Sequence, residues 1–560
     1  METYEGAEAF VEILNANRVQ HIFFNPGIDT VPVQAALIRM QESGKRTPSL
    51  VMCLDESVAM TAAHGHYMVS GRPQVVMVHS ELGTLRAGGA MHNAQWGRVP
   101  VILWAGQSPP GQRVNWMKEK FDQSGIMRGC VKWDHMLSDG EDIHETLQNA
   151  FKTAFSEPCG PVYLTFPTAI LSQAFEKTRI LPGPAEPPLP SRRFDANTLD
   201  RAAETLLNAT NPLIVPGYSG RHQESVKELI DLAELLSAPV FNGGTTLNFP
   251  TTHPLCAFGT MGRFADADVI LAIDYDMGYT MTADMTKPGS TVVQIALDPA
   301  TQGRPLWSRG ADILIQGDSR QAIRMLADSI RKKLTAGKKT EMEARYAKLR
   351  EEHKRQQDQS RSAALNNAKK KPISADWIGR CISDVVDEDT IIVNQSMSGG
   401  AALRQIDRVK PGTLLSCAGG SIQFALGAAL GAKLAAPDKM VVSLVSDGGF
   451  IWGCPVATLW SARVYQAPFL SIVFNNQSYG AIRRPLAQRT YGDRMMTGEM
   501  GAALGVDISP SPEYAAVAQS CGAYGHKVEN PEEVLPALRE AVSQLNTGKS
   551  AVLDIILDKG

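Results

Sequence analysis

Short apolar runs recur through the first third of the chain: "HIFF", "PSLVMCL", "QVVMVHS", "PVILWAG" and "GPVYLTFP". Each is followed by a stretch whose apolar residues return at helical spacing. Near-continuous apolar runs suit strands covered on both faces, and their alternation with helices predicts a parallel sheet flanked by helices. The proline-rich "RILPGPAEPPLPSRR" (residues 179–193) breaks the pattern and reads as an interdomain linker. From Asn211 the pattern resumes with "NPLIVPGYSGRHQESVKELIDLAELLSAPVF", then "ADVILAID" and "TVVQIALD", which predicts a second α/β domain. The charged "KKTEMEARYAKLREEHKRQQDQSRSAALNNAKKKP" has little to bury and reads as a solvated helix and linker. From "SADWIGRCI", where Ser374 is placed to cap a helix, a third α/β unit runs to the end. The expected fold is therefore α/β, with doubly wound parallel-sheet domains over residues 1–178, 194–335 and 373–560 and a charged helical linker over 336–372. No repeat at a fixed period is visible.

Composition narrows the function. A chain of 560 residues is too long for one ordinary core, and 44% hydrophobic with 20% charged residues fits a soluble globular protein. A net charge of −3, without a basic patch interleaved with aromatics, argues against nucleic acid and leaves small molecules as partners. Eight scattered cysteines form no C-x-x-C pair, so a reducing, cytoplasmic setting is expected. The N-terminal "METYEGAEAFVEIL" has no signal-peptide pattern, and no apolar run reaches the roughly 18 residues of a membrane span.

The richest chemistry lies in the third unit. The run "MVVSLVS" ends in Asp447-Gly448-Gly449, and "FLSIVF" ends in Asn475-Asn476. Two polar tips at the carboxyl ends of neighbouring strands lie where α/β sheets bind ligands, with room between them for one crossover helix. Asp, Asn and a backbone carbonyl are hard oxygen donors suited to Mg²⁺, which shares its shell with phosphate oxygens. Upstream, "CAGGSIQFALGAALGAKLA" offers a glycine turn entering a helix, and "IIVNQSMSGGA" supplies Asn394, Ser396 and Ser398 as donors to an anion.

Each signal has a plainer alternative when taken singly. "SDGGF" alone is more often a turn than a metal site, and a lone His79 is more often structural. His64 and His66 suit helix packing, because no third metal ligand accompanies them. Asp55 reads as a solvated or capping acid at a helix start. Ile422 alone is core, and Cys417 and Cys454 read as packing residues. "PGYSGRHQ" lacks the full dinucleotide fingerprint.

Taken together, the Asp-Gly followed by Asn-Asn, behind a Gly-Gly turn, resembles the signature of enzymes that use thiamin diphosphate. "IFFNPGIDTVP", "LDESVAMTAAHGHYMVSGRP", "VVMVHSELGTLRAGGAMHNAQWGRVPVILWAGQ", "GPVYLTFPT", "VNQSMSGGAALRQ" and "NNQSYGAIR" occur in the order of that family. They are similar to the benzoylformate decarboxylase, acetolactate synthase and pyruvate decarboxylase group over essentially the whole chain. One departure is Ser446-Asp447-Gly448 where the family usually has Gly-Asp-Gly.

The resemblance implies thiamin diphosphate and Mg²⁺ as cofactors, with Asp447, Asn476 and Ser478 as metal ligands. The cofactor would also meet Asn394, Ser396, Ser398, Gly420, Ser421, Ile422, Gly448, Gly449, Tyr479 and Gly480. Ile422 matches the apolar residue that props the cofactor in its bent form. Glu56 matches the glutamate that exchanges a proton with the aminopyrimidine and so activates C2. His79 and Ser80 match a His-Ser pair of the benzoylformate decarboxylases, while Ile28 stands where those enzymes carry a substrate-binding serine. Glu81, Ala481 and Pro485 fall at positions lining the substrate pocket. A homodimer is implied as the smallest working unit, with a homotetramer expected, and some relatives bind FAD or ADP in the middle domain. The activity implied is non-oxidative decarboxylation of a 2-oxo acid. Its alternatives are acetolactate-type carboligation, acyloin or diketone cleavage, a flavin-linked oxidoreductase, and a scaffold that kept the fold without catalysis.

Overall fold

The described residues of the computed structural model are 3–107, 122–138, 143–176, 194–257, 262–275, 285–298, 310–491 and 504–559. In the N-terminal domain the strands are β1 (Thr3–Glu5), β2 (His21–Phe24), β3 (Ser49–Met52), β4 (Gln74–Val78), β5 (Val101–Gln107), β6 (Trp133–Met136), β7 (Val162–Pro167) and β8 (Ala174–Glu176). Six of them form a parallel sheet in the order β3-β2-β4-β5-β7-β6, and β1 pairs antiparallel with β8. The central domain holds β9 (Pro212–Pro216), β10 (Val269–Ile273), β11 (Thr291–Ala296) and β12 (Ile313–Gln316), parallel in the order β12-β11-β10-β9. The C-terminal domain holds β13 (Ile391–Asn394), β14 (Leu414–Ser416), β15 (Val441–Ser446), β16 (Leu470–Asn475), β17 (Tyr524–Val528) and β18 (Ala551–Ile556). These are parallel in the order β14-β13-β15-β16-β18-β17. The three parallel-sheet domains expected from the apolar runs are present.

Strands β4, β5 and β7 are buried at every position, which is why they read as unbroken apolar runs. Among the strands that the apolar runs did not reveal, two lie at sheet edges: β6 is half-buried throughout, and β12 alternates buried and exposed residues. The proline-rich stretch lies outside the described residues. The charged stretch is one long helix, Ala336–Asn366. It is less solvated than its composition suggests, since Met342 and Leu349 pack into the central core. Arg345 on this helix donates to the carbonyls of Ala209, Leu236 and Ser237. The turn "PGYSGRHQ" is likewise committed. Its Arg221 pairs with Asp274 at 2.8 Å and with Glu157 of the N-terminal domain at 3.1 Å, joining the two domains.

The largest core is shared between the first and third domains. At its centre the Glu56–Ser70 helix crosses the Phe424–Ala435 helix at backbone contact. A Cβ on Gly427 would lie 1.9 Å from Thr61 Oγ1, one on Gly431 1.8 Å from the Ala62 carbonyl, and one on Gly65 2.2 Å from the Ala428 carbonyl. No side chain larger than hydrogen fits those positions. His64 and His66, on the same helix, are packing residues as expected: His64 stands edge-on to Phe424, and His66 to His21 and Phe23. Among the described residues no helix is long and apolar enough to cross a membrane.

Burial lowers both imidazoles to about 3, so each is neutral when folded. A group whose folded pKa is depressed below the unfolded value near 6.5 takes up protons preferentially on unfolding once the pH drops below that value. Stability contributed by the neutral rings is thus complete above about pH 6.5 and is lost as pH falls toward 3. Thermal unfolding followed between pH 7.5 and 4 should show a falling midpoint, and His66→Phe should flatten that dependence.

Candidate functional site

Strands β15 and β16 are neighbours, so their polar tips stand side by side. Ser446 ends β15, and its hydroxyl accepts the Gly449 N–H at 3.1 Å, capping the Asp447–Trp452 helix. The serine that departs from the family pattern is therefore a helix cap. The connection to β16 is two short helices rather than one, because Cys454 takes a left-handed φ of 48° and Pro455 begins a second helix, Pro455–Val464.

Asp447 is 1% exposed. Its Oδ1 accepts the Gly448 N–H at 2.7 Å, and the backbone N–H groups of Gln477 and Ser478 face it across the turn. Its Oδ2 is buried with no hydrogen-bond partner. Burial pushes the carboxyl up to about 6, against those backbone donors. Asn475 is turned away and fully committed: its Nδ2 donates to Asp554 Oδ1 at 2.9 Å, and its Oδ1 accepts from Gln477 N and Ser511 Oγ. Asn476 follows it, and its Nδ2 lies 3.0 Å from where a Cβ on Gly480 would stand. Ser478 is buried and bonds the Val506 carbonyl, while Tyr479 passes close to Gly448. Ala481 and Pro485 are exposed on the following helix, Gly480–Tyr491.

The second glycine turn lies against the first. Gly420 takes a φ of 77°, open to glycine, and the Ile422 carbonyl lies next to Gly449. Asn394 ends β13 and its Oδ1 accepts the Ser396 N–H; Ser396 is buried and Ser398 half-buried at the start of the Met397–Leu403 helix. Two residues that the motif pattern did not single out hold this turn. Asn93 brackets Ser421, donating to its carbonyl at 2.9 Å and accepting its N–H at 3.1 Å. Gln395 donates to the same carbonyl and accepts the Ala425 N–H. Buried amides that satisfy backbone groups have no signature in spacing, so neither was visible before the fold was known.

In the N-terminal domain, Glu56 opens its helix at the carboxyl end of β3, and its Oε1 accepts from Asn25 Nδ2 at 3.0 Å. Asp55 is the N-cap expected of it: Oδ1 accepts the Ser57 N–H at 2.8 Å, and the Ser57 hydroxyl also donates to it. Its Oδ2 takes a two-pronged bond from Arg86 at 2.7 and 2.8 Å. Burial alone would raise the Asp55 carboxyl, but Ser57 and Arg86 more than offset that and hold it below the usual range. Arg86 also reaches Cys454 Sγ at 3.2 Å, so this cysteine does more than pack.

His79 and Ser80 follow β4. His79 Nδ1 lies 2.7 Å from Asp29 Oδ1, and Ser80 donates its N–H to Asp29 Oδ2 at 3.0 Å. Asp29 sits in "NPGID", beside the Ile28 that drew attention first; its polarity at a strand's carboxyl end was the available signal. Ile28 is 82% exposed, whereas Glu81 is buried with Oε2 unpartnered.

The Asp447 turn fits a hard cation. Its spare carboxylate oxygen is buried without a partner, and the Asn476 amide and buried Ser478 hydroxyl belong to the neighbouring loop. Among the described residues no three His, Cys, Asp or Glu side chains gather, so a cation here would rest on one carboxylate with neutral oxygens, as magnesium does.

Three family models match in chain order. They are the thiamine pyrophosphate enzyme N-terminal TPP binding domain over residues 4–126, the central domain over 199–326, and the C-terminal TPP binding domain over 396–555. Benzoylformate decarboxylase of Pseudomonas aeruginosa is 27% identical over 97% of each chain. An acetolactate synthase large subunit of Escherichia coli (isozyme 3) is 25% identical, covering 100% of this chain and 96% of that one. In three dimensions the chain resembles the benzoylformate decarboxylase of Polynucleobacter necessarius, with a TM-score of 0.79 at 20% identity over 99% of both chains.

Removing the Ser446 cap tests what holds the Asp447 turn. Ser446→Ala should cost about 1 kcal/mol in urea unfolding, and Ser446→Gly only a few tenths.

Proposed function

We propose that this chain, which belongs to the thiamine pyrophosphate-dependent enzyme family, cleaves the bond between the carbonyl and the carboxylate of a 2-oxo acid, releasing CO₂ and an aldehyde. The observation that carries this reading is the His79 imidazole. It is 41% exposed at the carboxyl end of the N-terminal sheet and held from behind by Asp29. Decarboxylation without oxidation needs a group that gives a proton to the substrate oxygen and takes one back, and imidazole suits both tasks near neutral pH.

Thiamin diphosphate, when bound, supplies the carbon nucleophile and the electron sink that the bond cleavage requires. The chain's residues supply the rest. Asp447, Asn476 and Ser478 would hold Mg²⁺, whose charge would keep the Asp447 carboxyl ionised. Gly448, Gly449, Tyr479 and Gly480, with Asn394, Ser396, Ser398, Gly420 and Ser421, would hold the diphosphate, and Ile422 would prop the cofactor. Glu56, anchored by Asn25, is the residue that would exchange a proton with the aminopyrimidine. Ser80 starts its helix with the substrate end facing it, and Ile28, Glu81, Ala481 and Pro485 shape the acyl pocket.

These parts are assembled from two copies of the chain. Along the Ser80–Trp96 helix, about 20 Å of axis separates Ser80 from Asn93 at the Ser421 turn. The residues that meet the substrate and those that meet the diphosphate therefore belong to different sites in one chain. Leu54, Leu82, Leu85, Ile451, Trp452 and Val456 flank the Asp55–Arg86–Cys454 cluster and are all at least 44% exposed, an apolar face suited to a second copy. Sedimentation equilibrium should give no fewer than two chains per particle.

A second reading, carboligation or cleavage of an acyloin or diketone, is favoured by Ile28, which puts an exposed apolar side chain where the resembled decarboxylases carry a substrate-binding serine. Incubating the Mg²⁺-loaded holoenzyme with pyruvate and with branched and aromatic 2-oxo acids separates the two: aldehyde and CO₂ support decarboxylation. Acyloin cleavage without turnover of any 2-oxo acid sinks it. Glu56→Gln should slow exchange of the cofactor C2 proton by roughly 10²-fold while leaving the fold intact.

A further inference from the structure

We propose that Asp29 is a positioning residue that fixes the proton on His79 Nδ1, so that the imidazole exchanges protons with the substrate through Nε2 alone. The proposal rests on the 2-oxo acid lyase reading above and deepens it by giving the carboxylate behind the imidazole a defined role.

Asp29 is 5% exposed, and both its oxygens are engaged: Oδ1 with His79 Nδ1 at 2.7 Å and Oδ2 with the Ser80 N–H at 3.0 Å. An ionised carboxylate only accepts hydrogen bonds, so Nδ1 must carry the hydrogen and Nε2 is the basic atom of the neutral ring. The second bond keeps the carboxylate from rotating away, because it ties Oδ2 to the residue next to the histidine. Ser80 takes a φ of 38° there, a left-handed conformation unfavourable for a residue with a Cβ, which the hydrogen bond helps to hold. Two glycines from separate segments make room for the pair. A Cβ on Gly27 would lie 2.3 Å from His79 Nδ1, and a Cβ on Gly106 would lie 2.3 Å from Asp29 Cβ.

The proton on oxygen is lent and returned. When the substrate carbonyl oxygen gains the electron pair of its C=O bond, it takes the proton from Nε2 of the charged ring, and that proton returns to Nε2 as the aldehyde carbonyl re-forms. The separate proton that replaces CO₂ on the carbonyl carbon is drawn from water. The Asp29 carboxylate exchanges no proton in these steps and orients the ring, much as a buried aspartate orients a catalytic histidine in hydrolases.

Asp29→Asn keeps the size and can still accept from Ser80, but loses the charge and the demand for hydrogen on Nδ1. It should lower kcat roughly 10²-fold, with KM and cofactor affinity within about twofold of wild type. His79→Ala should lose as much or more, and the double variant no more than His79→Ala. Nitrogen-15 spectra of histidine-labelled holoenzyme, assigned with His79→Gln, should show the Nδ1–H tautomer in wild type and its loss in Asp29→Asn. An unchanged kcat in Asp29→Asn, multiplicative losses in the double variant, or a wild-type His79 in the Nε2–H tautomer overturns the proposal. The Nδ1–H tautomer in an enzyme that turns over no 2-oxo acid supports the positioning by Asp29 and overturns the lyase reading instead.

Discussion

The backbone contact between the Glu56–Ser70 and Phe424–Ala435 helices fixes how the first domain sits on the third. Each helix begins at a turn that carries candidate site residues. The first starts with Glu56 itself; the second follows directly on Gly420, Ser421 and Ile422. Gly65, Gly427 and Gly431 allow the helices to touch at Thr61, Ala62 and Ala428, so the distance between the two turns is fixed by hard contact rather than by adaptable side chains. A larger residue at any of these positions would push the first domain off the third and move both turns together.

The Ser80–Trp96 helix adds a second rigid tie between the same domains. It leaves the His79–Asp29 pair at one end, passes Gly83 beside Glu56, reaches Cys454 through Arg86, and ends with Asn93 on the Ser421 turn. A helix this long resists bending, so a displacement at one end is carried to the other. Arg86, though exposed, joins the cap of the Glu56 helix to Cys454, the residue before the Pro455–Val464 helix.

Burying carboxylates is costly unless each is matched, and the chain resolves this cost in three ways. Asp55 has Arg86 and Ser57 and is held in its charged form. Asp29 has His79 and a backbone amide. Asp447 and Asp554 have only neutral hydrogen-bond partners, and burial raises both to about 6, in Asp554 against the nearby Lys527 charge. Asp554 satisfies Asn475 from behind the loop, whereas Asp447 keeps one oxygen unmatched toward it. The unmatched carboxylate is the one a cation would complete. The paired one keeps the loop in shape.

Much of this was legible in the sequence, because parallel strands buried on both faces must be continuously apolar and their polar tips must fall where the runs stop. The three sheets, the Asp447 and Asn475-Asn476 tips, the Gly420 turn and the capping role of Asp55 follow from that rule. Edge strands β6 and β12 did not show, since half-burial leaves no continuous run. Nor did Asn93, Gln395 or Asn25, whose amides act only on groups far away along the chain. Asp29 was hidden beside Ile28 because the sequence places residues on a loop but not against one another. The sequence by itself determined which residue types stand at the strand ends, since burial and turn chemistry are local demands. Only the tertiary structure decided that Asp29 meets His79, that Asn93 brackets Ser421 and that Asp447 keeps a spare oxygen. The first and last depend on how loops at neighbouring strand ends meet within one sheet, and the second on how closely two glycine-lined helices pack; no local pattern encodes either.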